Sequence, residues 1–110
     1  EFFALEGLTQ LMKTIERIKS KLNPHLEIRG ILLTMFDKRN KLSGQVEIEA
    51  RNYFKEKVYS TVVPRNVRLS EAPSHGMSVL LYDKNCLGSK AYFKFTDEFL
   101  EQDKQVETAA

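Results

Sequence analysis

The chain reads as an α/β domain on a parallel sheet, and three features carry that reading. An amphipathic helix spans Leu5 to Leu22, a largely apolar stretch from Ile28 to Met35 follows it, and a second strand, Val58 to Val63, comes only after another helical segment. Short apolar strands joined by helices of about ten or more residues describe a right-handed parallel unit, because a tight hairpin cannot connect parallel neighbours.

Each element has its own local cause. Leu5, Leu8, Leu11, Met12, Ile15, Ile18 and Leu22 recur at three- and four-residue spacing, with Lys13, Arg17, Lys19 and Lys21 mainly on the other side. That period marks one buried helical face. Lysines in the last turns suit the negative end of the helix dipole, and Asn23–Pro24 stops the ladder. The continuous apolar stretch within Ile28–Arg29–Gly30–Ile31–Leu32–Leu33–Thr34–Met35 predicts a central strand covered on both faces. Ser43 is the expected cap of a helix through Lys57, with Val46, Ala50, Tyr53 and Phe54 inward; Val46 at the third position leaves a capping box incomplete. After the second strand comes a long loop, Pro64 to Gly76. Val79 to Tyr82 reads either as a final edge strand or as an extended packing segment. Ser89 leads a closing helix with Ala91, Tyr92, Phe95, Phe99 and Leu100 inward. From Gln102 to Ala110 only Val106 offers an apolar anchor, so this acidic tail is expected to fray.

At 110 residues, 42% apolar and 29% charged, the chain has the composition of one globular domain. The apolar run from Gly30 to Phe36 is too short to cross a bilayer, and no signal peptide is visible. A first residue other than Met predicts a piece of something longer. The lone Cys86 excludes an internal disulfide and fits a reducing compartment; as a metal ligand it has only His25 and His75 for company, so no metal site is expected. Net charge is +2, yet eight basic residues lie between Lys38 and Arg68 against Glu47, Glu49 and Glu56, while Asp97 onward is acidic. This is either an ordinary solvated surface or the footprint of an anionic partner.

The sequence offers binding chemistry rather than catalysis. Gly7, Gly30, Gly44, Gly76 and Gly88 are too scattered for a phosphate-binding loop, and with that loop go the lysine and Mg²⁺-holding hydroxyl of phosphoryl transfer. Glu47 and Glu49 project differently from a helix, and Ser74–His75 lacks a third orienting group, so no catalytic residue is expected. Asp37, just past a strand, is placed to bond a base or ribose. Pro64 fixes its own φ and biases Val63 toward extended backbone, so Arg65 and Asn66 leave the sheet in a defined direction. A rigid proline beside an amide suits stacking on, and hydrogen bonding to, a flat heterocycle. The alternative is a connection whose prolines only set its course. Arg68, with Arg39 and Lys38 from the loop after the neighbouring strand, forms a candidate phosphate-binding patch. No aromatic alternates with these residues, which favours duplex backbone over single strands.

Two segments resemble the ParA/Soj family of chromosome-partitioning ATPases. Gly30–Ile31–Leu32–Leu33–Thr34–Met35–Phe36–Asp37, then Arg39, Leu42, Ser43 and Val46, is similar to the family's G-[IV]-L-L-T-M-[YFL]-D-x-R-x-x-L-[SG]-x-x-V pattern. Val63–Pro64–Arg65–Asn66–Val67–Arg68–Leu69–Ser70–Glu71–Ala72–Pro73–Ser74–His75–Gly76 is similar to its [IV]-P-R-N-[VI]-R-[LI]-S-E-A-P-S-[YH]-G pattern. Phe3 to Leu8 resembles a helix start that the family places upstream. The resemblance covers residues 1 to 101 and implies the carboxyl-terminal half of a P-loop NTPase-like, Rossmann-type domain, with the amino-terminal half and its lysines, aspartates and Mg²⁺ absent. It implies an ATPase that dimerises on ATP, binds double-stranded DNA without sequence preference and meets a ParB-like centromere-binding protein in the cytoplasm, on the nucleoid. Carried over by position, the adenine pocket takes Thr34, Met35, Pro64, Arg65 and Asn66, and the DNA contacts take Arg39 and Arg68, with Lys38 beside them. ATP and Mg²⁺ belong to the whole protein, and neither is expected to bind this part tightly.

Two other functions compete. One is a non-enzymatic protein-interaction module on the same fold, engaging a partner through the Arg-rich loop. The other is a MinD-like cell-division-positioning ATPase, which calls for a basic amphipathic membrane helix; the acidic run from Asp97 opposes it, so no membrane contact is expected. A sheet with one clear neighbour strand also predicts self-association through its exposed edge.

Overall fold

A computed structural model describes residues 4–109, with side chains as far as Gln105. Phe3, Ala110 and the Val106 side chain lie outside the described residues. The chain is mixed α/β, and its described residues fall into two compact units, 4–31 with 38–58, and 32–37 with 59–109.

In the first unit, helix α1 (Ala4–Lys21) turns Leu5, Leu8, Met12 and Ile15 to its half-buried side, as the spacing predicts. Leu11, Ile18 and Leu22 are exposed. Helix α2 (Lys41–Phe54) starts two residues before the expected cap. Asn40 is the N-cap, its side-chain oxygen accepting from the Leu42 amide at 2.9 Å, and Ser43 is buried in the first turn. Asn40 wins because its short carbonyl arm reaches the amide two residues on, a bond that favours the extended backbone of a cap. Ala50 is buried as expected, but Tyr53 is 78% exposed. The helix stops at Phe54 because Lys55, whose amide still makes the last helical bond to the Arg51 carbonyl, takes a left-handed φ of 52°. A 3₁₀ turn, Lys55–Lys57, carries the chain onward, and Lys57 Nζ donates to the Ile28 carbonyl at 2.9 Å.

In the second unit lies the sheet. Strand β1 (Ile31–Phe36) pairs in parallel with β2 (Val58–Pro64). The strand expected from Ile28 starts three residues later and runs to Phe36. None of its residues is fully buried, so it is not the doubly covered central strand that its apolar run predicts: β2 is its one neighbour among the described residues. Burial concentrates in β2, where Val63 is fully enclosed and Tyr59 and Thr61 nearly so. Helix α5 (Leu87–Ala109) covers this strand. Phe95 meets the Tyr59 ring edge-on at 4.8 Å between centroids, and the Tyr59 hydroxyl bonds Gln102 at 3.0 Å.

The Glu98 carboxylate, also on α5, accepts from the backbone amides of Ser60 at 2.7 Å and Thr61 at 2.9 Å. Two β2 donors are thus satisfied by a helix side chain rather than by another strand, one of the ways sheets blunt unpaired backbone.

The stretch read as a long loop after Pro64 is mostly helical. Helix α3 (Val67–Glu71) leads into a 3₁₀ turn, Ala72–His75, with Pro73 in its first turn, and Gly76 ends it at a left-handed φ of 65°. Glycine suits that position because a Cβ is disfavoured there. Val79–Tyr82 is neither strand nor extended segment. It is helix α4, in which the Leu81 and Tyr82 amides both reach the Ser78 carbonyl. Four apolar residues in a row satisfy one helical turn as readily as a strand, and local hydrogen bonding decides.

Helix α5 begins at Leu87 rather than Ser89. The Cys86 sulfur accepts from the Ser89 amide at 3.4 Å, so the thiol caps the helix. Ser89 is fully buried, and its hydroxyl lies 2.6 Å from the Asp83 carbonyl and 3.2 Å from that of Val79, tying α5 to α4. Ala91, Tyr92, Phe95 and Phe99 are half-buried as predicted, whereas Leu100 is exposed. The backbone stays helical to Ala109, through the segment expected as a tail.

Candidate functional site

Both strands end at one place. The Arg65 amide donates to the Phe36 carbonyl at 2.9 Å, which holds the exits of β1 and β2 together. Just beyond opens a cleft of about 280 Å³ lined by Met35, Pro64, Arg65, Asn66, Val67, Leu69 and Ser70. Ligands of open parallel sheets bind beyond the carboxyl ends of the strands, where loops diverge. Four of the five residues expected at a heterocycle pocket (Met35, Pro64, Arg65 and Asn66) line this cleft. Thr34 is exposed on β1 and does not.

Local geometry explains how the walls are held. Met35 is exposed and takes a φ of 55°, a left-handed conformation that an unbranched side chain rarely adopts. Such conformations cost about 1 kcal/mol or more and cluster at ligand clamps and active sites. Asn66 is the N-cap of α3, its side-chain oxygen accepting from the Arg68 amide at 2.9 Å. That oxygen is committed to the helix, so a ligand would meet the amide nitrogen, a donor. Leu69, also in the lining, packs against Gly88 so closely that a Cβ there would lie 2.8 Å from Leu69 Cγ. The contact anchors the cleft wall on α5.

Arg68 is the second residue of α3 and is half-exposed. Its Nη1 meets Glu71 Oε2 at 3.0 Å, and its Nε lies 3.4 Å from Asp83 Oδ2. The Tyr82 hydroxyl donates to the same Glu71 oxygen at 2.7 Å, and the His75 ring stacks on Tyr82 at 4.8 Å. The Tyr82 hydrogen bond, helped by the Arg68 guanidinium and opposed by partial burial, holds the Glu71 carboxyl below its usual value. The same bond raises the Tyr82 hydroxyl. Lys38 and Arg39 belong to the other unit, where both are exposed on the turn before α2.

Sequence reasoning missed Glu71, Tyr82 and Asp83 as partners of Arg68. The Arg68–Glu71 spacing of three on a helix is a legible pair. Nothing local announces Asp83, which arrives through the fold of α4. Among the described residues no three His, Cys, Asp or Glu side chains gather as a metal site, and no helix is long and apolar enough to cross a membrane.

Residues 6–79, which include β1, β2 and the whole cleft lining, match the family described as the CobQ/CobB/MinD/ParA nucleotide binding domain. The chain belongs to that family. Within it, the chain is similar to the chromosome partitioning protein ParA of Caulobacter vibrioides (strain NA1000 / CB15N), with 60% identity over 99% of this chain and 42% of the relative. It is 49% identical to the chromosome-partitioning ATPase Soj of Treponema pallidum (strain Nichols), over 96% of this chain and 42% of the relative. The sporulation initiation inhibitor protein Soj of Bacillus subtilis (strain 168) is 51% identical over 89% of this chain and 39% of its own length. The chain thus spans about two fifths of these ParA/Soj relatives. The cleft lies in the part of the ParA/Soj sequence that this chain shares with them.

Proposed function

We propose that this chain is the carboxyl-terminal part of an ATP-dependent chromosome- or plasmid-partitioning protein, where it supplies the adenine side of the nucleotide site and part of a DNA-facing surface. The observation that carries this reading is the cleft beyond the paired strand ends, walled by Pro64, Met35 in its left-handed conformation and Asn66.

The cleft fits a purine. Pro64 and Met35 offer apolar contact to a flat ring, and the Asn66 amide nitrogen is a donor for the ring-nitrogen acceptors of adenine. In this reading the phosphate side of the site, with Mg²⁺, is built by other parts of the whole protein. ATP bound there supplies the phosphoanhydride bond that hydrolysis breaks. The role of these residues is to orient the base and exclude water from one of its faces. Arg39 and Arg68, with Lys38 beside Arg39, are the backbone-phosphate contacts of this reading. Contacts to backbone phosphates carry no base information, so binding in this reading is indifferent to sequence. The ATP-bound dimer, a ParB-like centromere-binding partner and a cytoplasmic, nucleoid-associated location complete the proposal.

Asn66→Asp tests the base contact without disturbing the helix, because aspartate caps as well as asparagine but has no amide donor. In the full-length protein this variant is expected to bind ATP about tenfold more weakly, the scale of one lost hydrogen bond at an anionic replacement. Equilibrium titration with a fluorescent ATP analogue checks it, and unchanged affinity removes Asn66 from the site.

A further inference from the structure

Arg68 sits in a polar cluster with Glu71, Tyr82 and Asp83, and the cluster bears on how a phosphate can reach it. A guanidinium recognises a phosphate bidentately through two neighbouring N–H groups, either Nε with Nη2 or Nη1 with Nη2. Here Nη1 is held by Glu71 and Nε faces Asp83. Each bidentate edge therefore includes one nitrogen that faces a carboxylate, Nη1 hydrogen-bonded to Glu71 and Nε within ion-pair distance of Asp83. Two carboxylates on one guanidinium also leave the spot locally negative, which repels a phosphodiester.

From this geometry we infer that Glu71 and Asp83 form an intramolecular clasp on Arg68, which a DNA backbone phosphate must open, and that they thereby set the strength of the DNA contact. The inference rests on the reading of Arg68 as a DNA contact. Opening is easy because neither acid is stranded by it. Glu71 keeps the Tyr82 hydroxyl at 2.7 Å, itself backed by the stacked His75 ring, and Asp83 keeps the Asn85 amide at 3.2 Å. Both acids are partly exposed, so the pairs are of the weak surface kind that a well-placed phosphate can replace. Glu71 and Asp83 are positioning residues: they touch no DNA and act through Arg68.

The test is a double-mutant cycle in the full-length protein with ATP present. Asp83→Asn and Glu71→Gln remove charge but keep the oxygens that the Asn85 amide and the Tyr82 hydroxyl need, and circular dichroism checks that each folds. Affinity for several unrelated duplexes is read by fluorescence anisotropy, alone and combined with Arg68→Ala. Each charge removal is expected to tighten binding about two- to fivefold, the range measured for exposed ion pairs, and to do nothing once Arg68 is alanine. Equal tightening in the Arg68→Ala background means that the acids act as general charge, and overturns the clasp. No tightening, while Arg68→Ala alone weakens binding, overturns the clasp and leaves the DNA reading standing. If Arg68→Ala binds DNA like the parent, both fall. A gain in ATP affinity instead of DNA affinity places the phosphate on the nucleotide and also overturns the proposal.

Discussion

Full-length protein carrying both Arg39→Ala and Arg68→Ala is expected to bind every duplex about a hundredfold more weakly at moderate salt, on the scale of about tenfold for each charge-assisted contact. The weakening is expected to be the same for unrelated sequences, because phosphate contacts carry no base information. The salt series is the sharper reading. Each phosphate neutralised on duplex DNA contributes about 0.9 to the slope of log affinity against log salt, so the double variant should flatten the slope by about 1.8 per protomer. Arg68 also has Glu71 and Asp83 to satisfy, so its single variant should lose less affinity than an arginine with no intramolecular partners would. The proposed ATP-driven dimerisation should persist, since neither arginine lines the cleft at the strand ends. A parental slope in both single variants would make these arginines ordinary surface charge, and the Arg-rich segment a protein-docking or structural element.

The second large effect is on stability. Glu98→Ala is expected to destabilise the fold by about 1–3 kcal/mol, because it leaves the Ser60 and Thr61 amides without their carboxylate acceptor. The effect has a pH signature. Burial would raise the Glu98 carboxyl, but the hydrogen bonds from Thr61 and Ser60 outweigh it, and the group sits below its ordinary value of 4.5. A carboxyl lowered by folding stabilises the native state above its unfolded pKa, and that contribution is lost as pH falls through the folded value. Urea unfolding should therefore separate parent from variant at neutral pH, with the gap narrowing in the acid range below about 4.5. A gap that stays constant down to strongly acid pH would show that Glu98 acts through packing alone.

The sequence was most legible where one signal dominated. The α1 period, the Asn23–Pro24 stop, the β-branched β2 and the aromatic spacing on α5 each recur in the structure within a few residues. It was least legible where two local solutions were close in energy. Ser43 and Asn40 both cap helices well, and only the hydrogen bond to Leu42 separates them. Val79 to Tyr82 has strand composition but closes one helical turn on the Ser78 carbonyl. The prolines after β2 read as loop, yet Pro73 in the first turn of a 3₁₀ segment is a helical signal too. Of the candidate site, proximity was readable: Met35 and Pro64 to Asn66 end adjacent strands and meet in one cleft. The left-handed Met35 was not, since an unbranched residue in an apolar run gives no local sign of a positive φ. Asp83 was invisible for a plainer reason: it lies fifteen positions from Arg68, and no helical period links them.

If the cleft at the strand ends holds the adenine ring, as proposed, the residues that line it lie within reach of a reactive group on the base. Photolabelling the full-length protein with an azido-adenine analogue of ATP, followed by peptide mapping, tests it most directly. The label is expected on the peptide that carries Met35 or on the one spanning Pro64 to Ser70, and an excess of ATP should suppress it. Labelling that ATP suppresses but that falls wholly outside both peptides would contradict the claim.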